Sequence, residues 1–309
     1  MTDISIIIRT KNEGKSILKT LEKISYQKIN KTFEIIIVDS GSTDNTLEIA
    51  KKFTGRILKI TSEKFTYPYA LNFGTEHTNG ELIVYLSAHC PPVNDYWLYH
   101  LTKHFFDPNV AGVFGKEIPI KGLNQVYEYS QLYEMFPSNG STYVLFSCPN
   151  ACIRKKVWDR YKFDERVPKK YPNVAVVEDQ LWAQMVKQKG YKIIYEPKSI
   201  VYHSHKFSLK NLIRNYSGGY FSKEMSDNYS PILSENSFQK KIKMYIKKKI
   251  NCFKYLVKNH YFKAILWDFP CSILFEVVLF YLGKRDREKE DESNNSFKNN
   301  PHNSKRLPN

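Results

Sequence analysis

Short apolar runs alternate with amphipathic segments along the first 90 residues. Ile4–Ile8 and Phe33–Val38 are β-branched runs bounded by polar residues, which is typical of buried central strands. Between them, apolar residues recur at helical spacing from 17 to 24, and Asn12 is predicted to N-cap this helix. Further strands are predicted at Arg56–Ile60, Leu82–Leu86 and Val110–Glu117. Strands that alternate with helices predict an α/β fold with a parallel, doubly wound sheet.

The middle of the chain has a less regular pattern. Strands are predicted at Tyr143–Ile153, Lys192–Tyr195 and Ser199–Tyr202, and helices at Asn94–Phe106, Leu123–Phe136 and Glu178–Lys189. Gly190 follows the last of these helices, where a glycine commonly ends a helix. The alternation of strand and helix therefore continues to about residue 205, in a less strict order.

Polar residues follow two of the predicted central strands. Asp39 ends the second strand, and Ser87, Ala88 and His89 follow the fourth. Ligands of open α/β sheets bind outside the carboxyl ends of the strands, so these positions predict a binding site. Asp39 can accept hydrogen bonds from a nucleotide base while the amides of its turn face a phosphate. The alternative is that Asp39 only caps its own turn.

Glu178 and Asp179 are two carboxylates in the first turn of one predicted helix. The helix dipole lowers the pKa of a carboxyl group at this end. Burial of two adjacent carboxylates has the opposite effect and raises the pKa of one of them, which suits a general base that works near neutral pH. The alternative is that the pair only stabilises the helix dipole.

The net charge of +16 is concentrated in the C-terminal third. Residues 206–285 contain 15 Lys and Arg against 5 Asp and Glu. Phe238–Val257 combines lysines with apolar positions, and charged residues interrupt the apolar segment Tyr261–Leu282, so we predict interfacial helices without a membrane-spanning helix. Such a surface fits anionic lipid headgroups. One alternative is a solvated helix face. Another is nucleic-acid binding, although no recognition motif accompanies the charge.

The cysteines and the N-terminus predict a reducing compartment. The five cysteines are odd in number and irregularly spaced, which favours buried apolar residues over disulfides or a zinc site. A strand begins almost at once after the N-terminus, so no signal peptide is predicted. We therefore expect a cytoplasmic protein that lies peripherally at the inner face of the membrane.

Several motifs together resemble family 2 glycosyltransferases, which have the GT-A fold. The N-terminal motifs are Ile4–Glu13, Glu34–Thr46, Ala70–Gly74 and Gly80–Glu81, and the later ones are Ser147–Arg154, Phe163–Glu165 and Glu178–Trp182. The last contains the Glu-Asp-x-x-Trp pattern of the family's acceptor half. The resemblance covers about residues 1–205 and implies a Rossmann-like mixed sheet with a nucleotide-sugar half and an acceptor half, most similar to rhamnosyltransferases.

The chain departs from the family pattern at the end of the fourth strand. Most members carry an Asp-x-Asp motif there that binds Mg²⁺ or Mn²⁺, whereas this chain has Ser87-Ala88-His89. It is similar to the Asp-x-His variant of polypeptide N-acetylgalactosaminyltransferases, which implies that His89 binds a divalent metal with His203 or His205. Imidazole favours Mn²⁺ or a later transition metal over Mg²⁺. A metal-free site, in which cationic side chains stabilise the diphosphate, is the alternative.

The resemblance implies the roles of individual residues. It implies inverting transfer of a sugar from a nucleoside-diphosphate sugar to a hydroxyl of a glycan acceptor, with Asp179 as general base beside Glu178. The implied donor-binding residues are Thr10, Glu13, Asp39, Ser42, Asn72, Ser87, Ala88 and His89, and the implied acceptor-binding residues are Asn150 and Trp182. Core packing is an equal alternative for Trp182.

The predicted domain boundaries and biological role combine this resemblance with the composition of the C-terminal third. A GT-A domain is expected at 1–207, divided at residue 90, followed by a basic helical region at 208–283 and a disordered tail at 284–309. A lipid-linked acceptor in bacterial surface polysaccharide synthesis, such as capsule or O-antigen, fits the basic C-terminal region. One alternative is a catalytically inactive protein of the same fold that binds nucleotide sugars or glycans. A nucleotidyltransferase is a second alternative, but Arg9–Gly14 contains too little glycine for the phosphate loop of that class.

Overall fold

The computed structural model describes residues 2–135, 146–166, 178–205, 238–274 and 277. The strands are β1 Ile4–Thr10, β2 Phe33–Asp39, β3 Ile57–Lys59, β4 Leu82–Ser87, β5 Val110–Ile118, β6 Asn150–Arg154 and β7 Lys192–Tyr202. The helices are α1 Gly14–Ser25, α2 Thr46–Ala50, α3 Tyr67–Glu76, α4 Trp97–Thr102, α5 Gln125–Ser130, α6 Lys155–Trp158, α7 Glu178–Gln188 and α8 Phe238–Lys258. A 3₁₀ turn at Lys103–Phe106 and π-helical turns at Gln131–Met135 and Ala264–Asp268 complete the elements.

The seven strands form one mixed sheet in the order β3-β2-β1-β4-β6-β5-β7. β1 pairs in parallel with β2 and β4, and β5 pairs in parallel with β7. β6 is antiparallel to both β4 and β5, so the sheet is mixed, as the family resemblance implies, and the parallel pairing predicted from the alternation holds for β1, β2 and β4. The carboxyl ends of β1, β2, β4, β5 and β7 nevertheless share one edge, because those strands all run in the same direction.

The sheet is covered by a hydrophobic cluster on each face. Alternation along β1 sends Ile4, Ile6 and Ile8 to the face that packs on α1, and Ile7 to the other face. That second face carries α3 and α7, whose Trp182 belongs to the same cluster as Ile7. The two carboxylates of α7 therefore approach the sheet from the face opposite α1.

Two expectations about local structure are corrected. Asn12 does not cap α1: its φ is 55°, and its side chain accepts a hydrogen bond from the Thr43 N–H at 2.8 Å. An asparagine tolerates this left-handed conformation better than most residues. The two strands predicted after residue 192 form the single strand β7. The residues between the two predicted strands cause a register shift against β5, where the partner of Gly115 is Glu196 and that of Lys116 is Ile200.

The chain divides into two compact units, Met1–Pro172 with Val176–Lys206, and Asn173–Ala175 with Phe207–Asn309. The first unit contains the whole sheet, and α8 belongs to the second. Within the described residues, no helix is both long enough and apolar enough to span a bilayer. The predicted tail at 284–309 lies outside the described residues. As predicted, most cysteines are buried, namely Cys90, Cys148, Cys152 and Cys252.

Candidate active site

The loops that follow β1 and β2 hold each other in place. The Asn12 N–H donates to Ser42 Oγ at 2.9 Å, and the Glu13 N–H donates to Thr46 Oγ1 at 2.8 Å. The Gly14 N–H, at the start of α1, donates to Asp44 Oδ2 at 3.1 Å. The first amide of α1 and the two amides before it are thus satisfied by side chains of the second loop.

Asp39 lies at the end of β2, where its carboxylate is buried and shapes the following turn. It accepts hydrogen bonds from the N–H groups of Gly41 at 3.0 Å and Ser42 at 3.1 Å, and from the Ser42 hydroxyl. These are the hydrogen bonds expected if Asp39 caps its turn. Thr10 is the register partner of Asp39, and its buried hydroxyl has no hydrogen-bond partner within the described part of the chain. Nucleoside binding by Thr10, Asp39 and Ser42 remains a prediction.

Three histidines meet beyond the carboxyl ends of β4 and β7. The ring centres of His89 and His203 are 5.2 Å apart, and those of His89 and His205 are 5.0 Å apart. His203 Nε2 lies 3.0 Å from His205 Nε2. His89 Nε2 is buried and has no hydrogen-bond partner among the described residues. The predicted grouping of His89, His203 and His205 is therefore present, and we call these three residues the histidine cluster.

Two carboxylates orient the histidine cluster from behind. Glu13 Oε1 lies 2.8 Å from His89 Nδ1, and the Glu117 carboxylate is hydrogen-bonded to His203 Nδ1. Ser147 donates to the other oxygen of Glu117 at 2.7 Å. A carboxylate that accepts from Nδ1–H leaves Nε2 of that neutral imidazole with its lone pair. This is the usual arrangement behind metal-bound histidines, and it fits a role for Nε2 in metal binding.

The donor set of the histidine cluster fits a divalent transition metal. The potential ligand atoms of His89, Cys90 and His203 all lie within 4.8 Å of one another, and this group does not include His205. Burial raises the pKa of the Cys90 thiol well above its usual value, with a further increase from Glu117. Because a thiolate is the metal-binding form, Cys90 would have to lose a proton to bind an ion, and the imidazoles are the better candidates. Imidazole nitrogens suit manganese and later transition ions better than they suit magnesium.

Asp179 lies at the N-terminal end of α7 and is only 2% exposed. Its carboxylate accepts hydrogen bonds from the Cys148 N–H at 3.0 Å and the Gln180 N–H at 2.8 Å. Burial raises the pKa of Asp179 well above its usual range, and the adjacent Glu178 raises it further. The two N–H donors and the charge of Arg9 oppose this increase without cancelling it. A carboxylate with a raised pKa is well matched to proton abstraction near neutral pH.

The dipeptide Ser147–Cys148 connects the two polar regions. The Ser147 side chain bonds to Glu117 behind the histidine cluster, and the backbone of Cys148 bonds to Asp179. The predicted strand from residue 143 begins only at Asn150, with residues 136–145 outside the described part of the chain. The segment that precedes β6 therefore carries groups for both regions, although neither residue was predicted to have this role.

Three predicted ligand-binding residues have their polar atoms occupied by the protein itself. Asn72 donates to Phe163 O and to Glu165, and it accepts from Trp158 Nε1 and the Phe163 N–H. Asn150, fully buried, accepts from Trp97 Nε1 and donates to two backbone carbonyls. Trp182 donates to Tyr161 O and packs in the core. These contacts are those of structural residues, and for Trp182 they match the core-packing alternative.

Glu117 is the main site residue that the sequence analysis missed. The strand Val110–Glu117 was predicted, and Glu117 is its last residue in that prediction. A carboxylate at the carboxyl end of a strand was the available signal. The role of Glu117 depends on its hydrogen bond to His203, which lies 86 positions further along the chain, so the residues around Glu117 did not indicate it.

A family model described as glycosyl transferase family 2 matches residues 5–187. The chain belongs to glycosyl transferase family 2. This glycosyltransferase is 25% identical over 227 residues to the O-antigen chain rhamnosyltransferase RfbN of Salmonella typhimurium, an alignment that covers 69% of this chain and 70% of RfbN. It is 24% identical over 229 residues to the O-antigen chain rhamnosyltransferase WbaN of Salmonella anatum, covering 70% of each chain.

Solved structures with low sequence identity share the fold of this glycosyltransferase. The mannosyltransferase PcManGT of Pyrobaculum calidifontis, solved with GDP-Man and Mn²⁺, has a TM-score of 0.55 at 16% identity over 92% of this chain and 86% of its own. TarS of S. aureus, solved with UDP-GlcNAc, has a TM-score of 0.54 at 13% identity over 94% of this chain and 92% of its own. The predicted GT-A fold and the predicted enzyme class are confirmed.

Proposed function

We propose that this glycosyltransferase moves a sugar from a nucleoside-diphosphate donor to a hydroxyl of a glycan acceptor, with inversion and with Asp179 as general base. The observation that supports this role best is the buried Asp179 carboxylate with a raised pKa on the helix that carries the family's Glu-Asp-x-x-Trp pattern. Its two backbone hydrogen bonds fix the orientation of the carboxylate before an acceptor arrives.

The chemical step needs only one proton acceptor from the protein. Asp179 takes the proton of the acceptor hydroxyl while the hydroxyl oxygen forms a bond to the anomeric carbon. The bond between that carbon and the diphosphate oxygen breaks, and the nucleoside diphosphate leaves with the bonding electrons. Attack from the face opposite the leaving group inverts the anomeric centre. General base catalysis of this kind contributes about 10²–10⁴-fold to a rate.

We propose that the donor binds along the shared edge of the sheet. Thr10, Asp39 and Ser42 would contact the nucleoside, and Ser87, Ala88 and His89 would lie beside the diphosphate. PcManGT and TarS have the same fold and were solved with nucleotide sugars, which supports a nucleotide-sugar donor for this fold. The occupied side chain of Asn72 gives it a supporting role behind the donor in place of direct contact.

His89, His203 and His205 would hold a divalent transition ion, with Glu13 and Glu117 orienting the first two. Such an ion supplies positive charge that stabilises a departing diphosphate. The orphaned His89 Nε2 and the carboxylates behind His89 and His203 support this proposal. In the metal-free alternative, a protonated histidine would supply the positive charge. A comparison of metal binding by wild type and by His89→Ala distinguishes the metal-bound site from the metal-free site.

The C-terminal helix α8 supports a membrane-proximal acceptor. Ile246, Ile250, Phe253 and Val257 are exposed and follow each other at spacings of four, three and four, so they form one stripe along the helix. Lysines directly follow Ile246, Phe253 and Val257 in sequence, which places a basic row along one side of the stripe. Each lysine contributes about 1 kcal/mol near an anionic lipid surface. We propose that α8 docks on anionic lipid at the inner face of a membrane.

Sedimentation with vesicles tests the docking proposal. Wild type should bind phosphatidylglycerol vesicles at low salt and much less at high salt. The double variant Ile250→Asp and Phe253→Asp should lose binding, whereas Phe106→Asp, which replaces an exposed apolar residue of the first unit, should not. Equal sedimentation of all three proteins would contradict docking by α8.

Surface polysaccharide synthesis is the biological role that we propose, with a lipid-linked acceptor. The resemblance to two O-antigen chain rhamnosyltransferases over about 70% of each chain supports it, and makes a deoxyhexose donor the first to test. The test is release of nucleoside diphosphate from a panel of nucleotide sugars with a lipid extract as acceptor. Transfer that requires Asp179 supports the proposal. Nucleotide-sugar binding without any turnover would favour the inactive binding protein.

A further inference from the structure

Arg9 is a half-buried cation that none of the roles above uses. It is the penultimate residue of β1, where it is the register partner of Val38 in β2 and of Ser87 in β4. Alternation along β1 places its side chain on the same face as Ile7, toward α3 and α7. Arg9 therefore lies at the centre of the sheet, just below the edge where ligands bind.

The guanidinium of Arg9 lies over an aromatic ring and has two donors that are unsatisfied within the described part of the chain. It lies over the ring of Tyr67, with 5.2 Å between the guanidinium carbon and the ring centre. Its Nε and Nη1 atoms are buried and have no hydrogen-bond partner among the described residues. Nor does any carboxylate in that part of the chain form an ion pair with it. This cation–π contact stabilises the charge but leaves these N–H donors unsatisfied.

The charge of Arg9 acts on groups in both polar regions. It lowers the pKa of Asp179 on α7 and the pKa of Cys90, which follows His89, and in each case burial has the larger and opposite effect. Buried N–H donors without a partner are costly, so a cation that keeps two of them is suited to a negatively charged partner. Guanidinium groups bind phosphate through two parallel hydrogen bonds, and Arg9 has two donors without a partner among the described residues.

We propose that Arg9 binds the diphosphate of the donor, as the protein's own cation next to the histidine cluster. The proposal rests on the proposed function, because it takes the diphosphate of a nucleotide sugar as the bound anion. A phosphate oxygen would take up the N–H donors that the protein leaves unsatisfied, and the charge of Arg9 would stabilise the diphosphate as it leaves. The pairing of Arg9 with Ser87, two residues before His89, supports this placement.

Calorimetric titration of the full chain tests the proposal in the presence of Mn²⁺. The ligands are UDP, dTDP and GDP, the corresponding monophosphates, and inorganic pyrophosphate. The proteins are wild type, Arg9→Gln, Arg9→Lys and the control Lys28→Gln. Lys28 is a matched control because it also lies over a tyrosine ring, 5.6 Å from that of Tyr96, but on the surface beside Asp95.

The expected result is a selective loss. Arg9→Gln should weaken the preferred diphosphate and pyrophosphate by about tenfold or more, since charge-assisted hydrogen bonds are lost. The monophosphate should lose much less, Arg9→Lys should restore part of the affinity, and Lys28→Gln should match wild type. An unchanged ratio of diphosphate to monophosphate affinity in Arg9→Gln would overturn the proposal, and so would an equal fall for all ligands, which marks a structural role.

Pyrophosphate separates this proposal from the proposed function. If wild type binds pyrophosphate in an Arg9-dependent way but binds none of the nucleotides, Arg9 keeps its role as an anion-binding residue and the nucleotide-sugar assignment fails. If nucleotides bind and Arg9→Gln changes neither their affinity nor that of pyrophosphate, the assignment of Arg9 fails alone. If wild type binds neither pyrophosphate nor any nucleotide, both proposals are overturned.

Discussion

The histidine cluster and the N-terminal end of α7 each contain a carboxylate that is 2% exposed, Glu117 and Asp179. Burial alone would raise the pKa of both groups. Electrostatic attraction to His203 and hydrogen bonds from His203 and Ser147 outweigh burial at Glu117 and lower its pKa. At Asp179 the largest charge effect is that of Glu178, which adds to the effect of burial, so its pKa is raised.

This difference shows how one kind of side chain can serve two chemical roles in neighbouring regions. Glu117 stays ionised and orients a histidine, whereas Asp179 holds a carboxylate that readily accepts a proton. The two groups are connected through Ser147 and Cys148, so they belong to one polar network without sharing a partner. The two carboxylates are equally exposed, so the side chain beside each one, His203 or Glu178, decides the role of that carboxylate.

Replacing Asp179 should have the largest effect of the changes considered. Asp179→Asn should reduce transfer by about 10²–10⁴-fold, because the variant keeps the shape of the side chain but cannot accept the proton. Nucleotide affinity should stay close to that of wild type. The measurement is single-turnover transfer, with the exposed Asp159→Asn as the matched control. Full activity of Asp179→Asn would show that another group is the base.

Replacing Glu117 should act on metal binding rather than on proton transfer. Glu117→Gln should weaken Mn²⁺ affinity by about 10–100-fold, since the variant loses the charge that orients His203. Electron paramagnetic resonance of free Mn²⁺ measures this affinity directly. Glu196→Gln is the matched control, because Glu196 is also buried against a histidine, His104, in a different part of the sheet. Equal affinities in both variants would contradict the orienting role of Glu117.

The pH dependence of transfer should identify the neighbour that tunes Asp179. The base is active when deprotonated, so activity should rise with pH through the raised pKa of Asp179. Glu178→Gln removes the like charge that contributes to this increase, and the rising limb should move to lower pH. The exposed Glu81→Gln is the control. A limb that does not move would mean that burial alone raises the pKa.

Cys90 offers the smallest expected effect and tests the choice of metal ligands. Cys90→Ser should leave Mn²⁺ affinity unchanged, because burial raises the pKa of the thiol and makes the thiolate that a metal needs costly to form. His89→Ala, measured beside it, should reduce the affinity strongly. A loss in Cys90→Ser as large as that in His89→Ala would make the thiol a ligand and exclude a cluster of imidazoles alone.

Local patterns predicted the strands, the turn after β2 and the carboxylate pair of α7. Ile4–Ile8 and Phe33–Val38 could be identified because a buried parallel strand is apolar on both faces. The two residues Glu178 and Asp179 are adjacent, so their mutual effect is visible without a fold. Asn72 and Asn150 looked like ligand-binding residues because they lie in family motifs, but their amides satisfy buried backbone and indole groups.

The sequence by itself determined the fold class, the family and the residues able to take part in chemistry. Periodicity and short motifs depend on neighbours in the chain, and those neighbours are the same before and after folding. Only the tertiary structure decided that Glu13 and Glu117 stand behind His89 and His203, and that two N–H donors of Arg9 are left without a hydrogen-bond partner among the described residues. These relations join residues far apart in sequence, and burial sets their strength, so they exist only once the sheet has brought its strand ends together.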